Sequence, residues 1–260
     1  MERNALGGGP LTVPRLWILS DLHLEAATFP EAFKPAPPDF DVLVVAGDVC
    51  EGDSDTALRV VARLANGKPA VFVLGNHEFW GREVGRERRA TWRAAERRRV
   101  TLLDDTAADI AGLRFVGGTL WADGHLAGPD ATPALPTNEF IRVGTRERLI
   151  TGADEARLHR RTRRTIEAAT GQGGPPLIVV THHAPHPLCL PEAHRTGWSA
   201  GNAASDLSLL TDTGCIALWM HGHVHTTTNL VRPGGTRIVC NPAGPGFTNP
   251  AFRDDWVVEV

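Results

Sequence analysis

The feature that most constrains this chain is a repeated junction, in which a short apolar run of strand length closes on a turn loaded with Asp, Asn or His. The run 16–20 leads into Asp21-Leu22-His23, 42–46 into Gly47-Asp48, and 71–74 into Gly75-Asn76-His77-Glu78. The same form returns at 178–181, followed by His182-His183, and at 216–220, followed by His221-Gly222-His223-Val224-His225. Any one junction reads equally well as a capped turn. Five together do not, because the crevice of an open α/β sheet lies beyond the carboxyl ends of its strands, where five such ends can converge. Asp and His are both ligands for first-row divalent ions, so the junctions read jointly as a metal site. The glycines are expected to let the backbone turn sharply and expose the next side chain.

Around these junctions the pattern alternates between strand-like runs at 16–20, 41–46, 70–74, 113–119, 177–181, 216–220, 237–240 and 256–260 and helical stretches between several of them. The stretch 54–64 keeps one apolar face (Leu58, Val61, Leu64), opens at Ser54 and closes at Asn66-Gly67. Two further helices are expected at 82–100 and 154–170, giving an α/β chain. Both are dense in Arg, but Glu83, Glu87 and Glu96 are interspersed, the pattern of a solvated helix face. No linker separates two domains. Residues 1–14 are read as a flexible N-terminal segment and 15–260 as a single domain, with long loop insertions near 124–139 and 184–204.

Composition narrows the function classes. With 27 basic and 30 acidic residues the net charge is −3, which supplies no global field for a nucleic-acid backbone and shows no nucleic-acid groove. No apolar run reaches the length of a membrane span and the N-terminus lacks a signal-peptide core, so no membrane partner is expected. The four Cys are widely spaced with no C-x-x-C pair, which reads as reduced thiols and a cytoplasmic protein. Cys50, two residues after Asp48, is expected to pack as a small apolar residue. The chain holds eleven His against two Lys, and His23, His77, His182, His223 and His225 all fall at the junctions.

In order, the junctions read D-x-H, G-D, G-N-H-E, a His after a strand, and G-H-x-H, and this series from Asp21 to His225 resembles the calcineurin-like metallophosphoesterase superfamily. The resemblance implies a four-layer αββα sandwich of two mixed β-sheets flanked by helices, with two divalent metal ions (Mn, Fe or Zn) at the strand ends. Carried over by position, one ion takes Asp21, His23 and His225 and the other takes Asn76, His182 and His223, with Asp48 bridging. His182 and His183 are adjacent and only one is needed; His182 directly follows the strand, as the family pattern has it. His183 and His221 are then expected to brace a ligand from behind, and His186 and His194 to face the mouth of the site. His77 is expected to contact the substrate or its leaving group.

The chemistry so implied is phosphoester hydrolysis by a hydroxide held between two divalent metals, with His77 protonating or stabilising the departing oxygen. Only Asp21 and Asp48 of the implied ligands are anions, which preserves a positive surplus suited to a monoanionic diester; an Asp in place of Asn76 would cancel it. The expected substrate is therefore a small phosphate ester, in particular a small phosphodiester. Phosphomonoesterase, protein phosphatase and nucleotide pyrophosphatase activities use the same site in related proteins, and a non-catalytic protein-binding scaffold is the alternative of a different class. A scaffold has no need of a complete ligand set. Oligomeric state is not readable.

Overall fold

Strands that are apolar at nearly every position bury both faces, so each sheet they build needs a layer on either side. The structure, a computed structural model, describes residues 13–26, 33–128 and 140–260. In chain order the elements are β1 (Arg15–Leu19), β2 (Val42–Val45), α1 (Ser54–Ala65), β3 (Ala70–Phe72), α2 (Val84–Arg98), β4 (Thr101–Leu102), β5 (Thr106–Ile110) and β6 (Leu113–Gly118). There follow β7 (Arg142–Val143), β8 (Arg148–Leu149), α3 (Gly152–Thr170), β9 (Leu177–Thr181), α4 (Trp198–Ala203), α5 (Ser208–Thr211), β10 (Leu218–His221), β11 (Thr228–Val231), β12 (Arg237–Cys240) and β13 (Val257–Glu259).

One sheet has the order β13-β1-β2-β3-β4 and the other β11-β12-β10-β9-β6-β5. Both are mixed: β1 to β4 run parallel with β13 antiparallel, and β6, β9, β10 and β12 run parallel between the antiparallel edges β5 and β11. Leu16, Ile18, Val44 and Val71 of the first sheet pack on Phe115, Ile178, Val180 and Met220 of the second. The opposite face of the first sheet (Trp17, Leu43, Phe72) lies against Leu58 and Val61 of α1 and Ala94 and Ala95 of α2. That of the second (Val116, Val179, Trp219) lies against Ile166 of α3 and Ala200 and Leu207 near α4 and α5. The result is the expected αββα layering, with the parallel strands of both sheets ending on one side.

Several boundaries differ from the sequence reading. Asp53, not Ser54, caps α1, because its carboxylate reaches the Thr56 N–H at 2.9 Å. β3 stops at Phe72, two residues early, where the chain leaves the sheet toward Gly75. The segment 184–204, read as loop, contains the single turns Pro187–Cys189 and Glu192–His194 and then α4, whose Ala200 is fully buried. Most of the other proposed insertion, 129–139, lies outside the described residues, as does 1–12 of the N-terminal segment. Edge strands β5 and β11 have no counterpart among the strand-like runs of the sequence: their half-exposed sequences TAADI and TNLV carry little apolar signal. On the Arg-rich helices, Arg88 pairs with Asp104 and Asp105, Arg98 with Asp55 and Arg161 with Asp105.

Candidate metal centre

The five junctions meet at the carboxyl ends of β1, β2, β3, β9 and β10. Backbone bonds lace the ends together: Asp21 N–H donates to Gly47 O at 3.0 Å, His23 N–H to Asp48 O at 3.0 Å, and Gly222 N–H to His182 O at 2.9 Å. Asp21, His23, Asp48, His223 and His225 all adopt left-handed backbone angles, with φ between 44° and 69°. Such conformations are costly for residues with a Cβ and persist where the surroundings over-determine them, which they do at functional sites. Here the kinks turn alternate side chains away from the strands and toward one point.

Two groups of donors result, and they share one residue. Asp21, His23, Asp48 and His225 form one, and Asp48, His182 and His223 the other; within each group the ligand atoms lie within 4.8 Å of one another. Asn76 joins the second, since its Oδ1 lies 2.9 Å from His182 Nε2 and 2.9 Å from His223 Nδ1. The Asp48 carboxylate stands between them: Oδ2 is 3.1 Å from His182 Nε2 and 3.8 Å from His23 Nε2. His225 Nε2 is 3.1 Å from His23 Nε2 and 3.5 Å from Asp21 Oδ1.

The donor chemistry fits bound cations. His182 Nδ1 donates to Ala46 O at 2.8 Å, so Nε2 turns a lone pair toward the oxygens of Asp48 and Asn76, which are acceptors themselves. Asp21 Oδ2 is buried with no hydrogen-bond partner. Converging lone pairs in a buried site require either a proton or a metal ion. The electrostatics of the bare chain show the same demand. Burial alone lowers the His182 pKa, yet Asp48 beside it pushes the ring up to about 10, while burial that would raise the Asp48 carboxyl is overcome by His182 and His77, which hold it well below the carboxylate range. Burial together with His183 holds His223 well below the ordinary imidazole value, which favours the neutral ring.

The adjacent histidines separate. His182 reaches Asp48 and Asn76, whereas His183 Nδ1 donates to Thr119 O at 3.2 Å and its ring stacks on His223 with centroids 4.1 Å apart. His221 departs from the sequence reading: its Nδ1 bonds Gly222 O at 2.9 Å, bracing the turn rather than a ligand side chain. His186 differs too. Its Nδ1 accepts from Leu188 N–H in the turn Pro187–Cys189 and its Nε2 bonds Ser208 Oγ at the start of α5, both at 3.0 Å, so both ring nitrogens are used in holding these loops together. His194 closes the turn Glu192–His194. Cys50 is buried, and burial with the nearby carboxylates pushes its thiol up to about 12, an inert state.

His77 sits beside the shared carboxylate, Nε2 4.0 Å from Asp48 Oδ2, with its ring stacked on Trp80 at 4.1 Å. Behind it, Glu51 Oε2 lies 3.6 Å from Nδ1. The side chain is partly exposed, unlike those of Asp21, His23 and Asp48.

Two structural contributors escaped the sequence reading. Glu78, read as an ordinary residue, is fully buried, and its carboxylate accepts the N–H groups of Gly75, Asp48, Val49 and Cys50. Burial and the neighbouring Asp48 charge push its carboxyl up to about 7. The glycines act less by flexibility than by absence of a side chain: a Cβ on Gly75 would meet Asp48 Oδ1 at 2.0 Å, and one on Gly222 would meet Asp21 Oδ2 at 2.6 Å. Of the junction glycines 47, 75 and 222, Gly47, at φ 84°, combines that crowding with a left-handed turn. The G-N-H-E and G-H-x-H spacings carried that signal, since a Gly next to a ligand marks close approach as readily as a turn.

The family description "Calcineurin-like phosphoesterase" matches residues 14–227 of this chain. A curated relative, the "[Acyl-carrier-protein] phosphodiesterase PptH" of Mycobacterium tuberculosis, is 38% identical over 80 residues, which cover 28% of this chain and 24% of the relative. The matched segment thus spans about a quarter of that relative's length. The crystal structure of phosphopantetheinyl hydrolase (PptH) from Mycobacterium tuberculosis superposes with a TM-score of 0.69 at 21% identity, covering 95% of this chain and 96% of that one. A dimetal phosphatase from Danio rerio superposes with a TM-score of 0.51 at 14% identity, covering 92% and 90%. At these identities the superpositions establish the shared fold.

Proposed function

The chain belongs to the calcineurin-like phosphoesterase family, and from that premise we propose that it is a dinuclear metal-dependent phosphoesterase acting on small phosphodiesters. The observation that carries the reading is Asp48, a single carboxylate common to two donor clusters at the ends of two sheets. Asp21, His23 and His225 are proposed to hold one ion, Asn76, His182 and His223 the other, and Asp48 both. Nitrogen and oxygen donors without thiolate suit Mn, Fe or Zn. When bound, the two ions supply Lewis acidity toward the phosphoryl oxygens and activation of the attacking water.

The chain's own residues supply the remaining parts. Ligands that are neutral apart from Asp21 and Asp48 leave positive charge for an anionic ester. His77, partly exposed and stacked on Trp80, presents Nε2 beside Asp48, where it can hold a proton toward the leaving oxygen. Burial of Asp21, His23 and Asp48 fixes their rotamers, so the groups around the ester are set before it binds.

The likeness to a protein named for acyl-carrier-protein phosphodiesterase activity favours a diester joining phosphopantetheine to a carrier protein as the first natural candidate. The free, mostly buried cysteines support a reducing, cytoplasmic setting, and residues 15–260 are proposed to act as one domain. Among the described residues no helix is long and apolar enough to cross a membrane.

The test is a substrate panel with Mn, Fe and Zn supplied separately: bis-nitrophenyl phosphate, nitrophenyl phosphate, 2′,3′- and 3′,5′-cyclic nucleotides, a dinucleotide polyphosphate and a phosphopantetheinylated carrier protein. The diester is expected to be turned over at least tenfold faster than the monoester. Preference for the monoester would overturn the diester assignment, metal-independent hydrolysis would overturn the dinuclear metal assignment, and absent hydrolysis would favour the scaffold.

A further inference from the structure

The His23 ring has two nitrogens with different neighbours. Nε2 faces the centre, 3.1 Å from His225 Nε2, while Nδ1 lies 2.9 Å from Glu25 Oε1. A carboxylate accepts, so Nδ1 carries the proton and Nε2 presents its lone pair inward. Glu25 stands in the short turn Leu24–Ala26, which is fixed by Leu24 N–H on Val49 O at 2.9 Å and Ala26 N–H on His23 O at 3.1 Å. Its other oxygen is not idle. Oε2 accepts the Glu51 N–H at 3.0 Å, and the Glu51 side chain lies 3.6 Å from His77 Nδ1. One carboxylate thus links the loop after β1 to the loop after β2, three residues beyond Asp48.

Resting on the dinuclear reading above, we infer that Glu25 is a positioning residue that fixes the tautomer and orientation of His23 and thereby sets the affinity of the ion held by Asp21, His23 and His225. A carboxylate behind a ligating imidazole locks the ring and raises its basicity, and loss of such a partner typically costs 10–100-fold in metal affinity. His23, Glu25 and His77 also offer ligand atoms within 4.8 Å of one another, the spacing of a third cation site. That use conflicts with the hydrogen bond: with Nδ1–H donated to Oε1, His23 has no second lone pair to give. Glu25 therefore acts as an acceptor for His23, and the centre holds two ions, not three.

The experiment titrates Mn²⁺ into the metal-free full-length protein by calorimetry, for wild type, Glu25→Ala and Glu25→Gln, with the melting temperature of each metal-free protein recorded alongside. Wild type is expected to bind two equivalents. In Glu25→Ala one of the two should weaken by about 10–100-fold while the other keeps its affinity. Glu25→Gln should recover part of the loss, because its carbonyl oxygen still accepts from Nδ1 while its amide opposes the Glu51 N–H. Two wild-type affinities in Glu25→Ala would overturn the inference, as would a lowered metal-free melting temperature with both affinities unchanged, which marks a merely structural role. A third equivalent in wild type that disappears in Glu25→Ala would make Glu25 a ligand and overturn it too. A wild-type protein that binds no ion would overturn the dinuclear reading itself, and this inference with it.

Discussion

Glu78 holds Asp48 by the backbone rather than by the side chain. Its Oε2 accepts the Asp48 N–H at 3.0 Å and the Gly75 N–H at 2.7 Å, and its Oε1 accepts Val49 N–H at 2.7 Å and Cys50 N–H at 3.2 Å. One buried carboxylate therefore satisfies four amides in the two loops that carry Asp48 and Asn76. Glu78→Ala would leave those amides unpaired in a dry site, each costing ~1–3 kcal/mol if unrelieved. A loss on the order of 3 kcal/mol or more is expected in urea unfolding at neutral pH. Glu78→Gln should lose less, since one oxygen still accepts. Glu78→Ala within ~0.5 kcal/mol of wild type would show that water replaces the carboxylate.

Two glycines with different surroundings should respond differently to one added methyl group. At Gly75 the new Cβ would lie 2.0 Å from Asp48 Oδ1 and 2.6 Å from Asp48 N, so either the shared carboxylate or the loop must move. Gly75→Ala should lose at least a hundredfold in kcat/KM, because misplacement of about 1 Å at a reacting centre costs that much. Gly67, at φ 83° after α1, has nothing within 4 Å. Gly67→Ala should cost about 1 kcal/mol of stability through backbone strain and leave kcat/KM unchanged. Equal catalytic effects at the two positions would refute the steric account of Gly75.

What the sequence made legible follows from where free energy is concentrated. Apolar runs such as 42–45 and 177–181 are buried on both faces and leave a strong pattern, and the polar residues at their ends stand out because nothing apolar explains them. The edge strands β5 and β11 are half exposed, so their registers are set by neighbours rather than by their own composition. The roles of Glu25 and Glu78 were hidden for another reason. Each acts on atoms more than twenty residues away, Glu51 N–H for one and Asp48 N–H for the other, and a contact of that kind has no local periodicity. Similarly, His186 and His221 read by residue type and position as groups that face the site or brace a ligand. Only the direction of their ring nitrogens, toward Leu188, Ser208 and Gly222, shows that they brace the loops instead.

Asp154 ties the start of α3 to acid stability. It forms a capping box with Thr151 and pairs with Arg148, at 2.5 and 2.8 Å, and with Arg157 at 2.9 Å. The Arg148 hydrogen bonds hold its carboxyl well below the ordinary aspartate value. A depressed carboxyl binds fewer protons in the folded state than in the unfolded chain, so its contribution is complete above the unfolded value and fades as pH falls through the folded one. Unfolding free energy of wild type should therefore drop between about pH 5 and pH 2 with a share due to this group. Asp154→Asn should flatten that share and cost ~1 kcal/mol at pH 7, the usual worth of a cap. An unchanged acid slope in urea titrations of the variant would assign it to other carboxylates.

Because Asp48 belongs to both donor clusters and Asn76 to one, the two positions should differ in metal stoichiometry. Removal of metal by a chelator should destabilise the wild-type protein, since an ion that binds only the folded state at a hundred times its dissociation constant contributes ~2.7 kcal/mol. Asp48→Asn removes the anion placed between His182 and His23 and should weaken both ions, leaving a melting temperature that barely responds to chelation. Asn76→Ala removes one oxygen from the His182 and His223 side alone. It should retain about one equivalent and roughly half of the chelator-sensitive stabilisation. Elemental analysis and thermal melting with and without chelator decide the matter: one retained equivalent in Asp48→Asn would contradict a shared carboxylate, and loss of both in Asn76→Ala would mean that the two sites form only together.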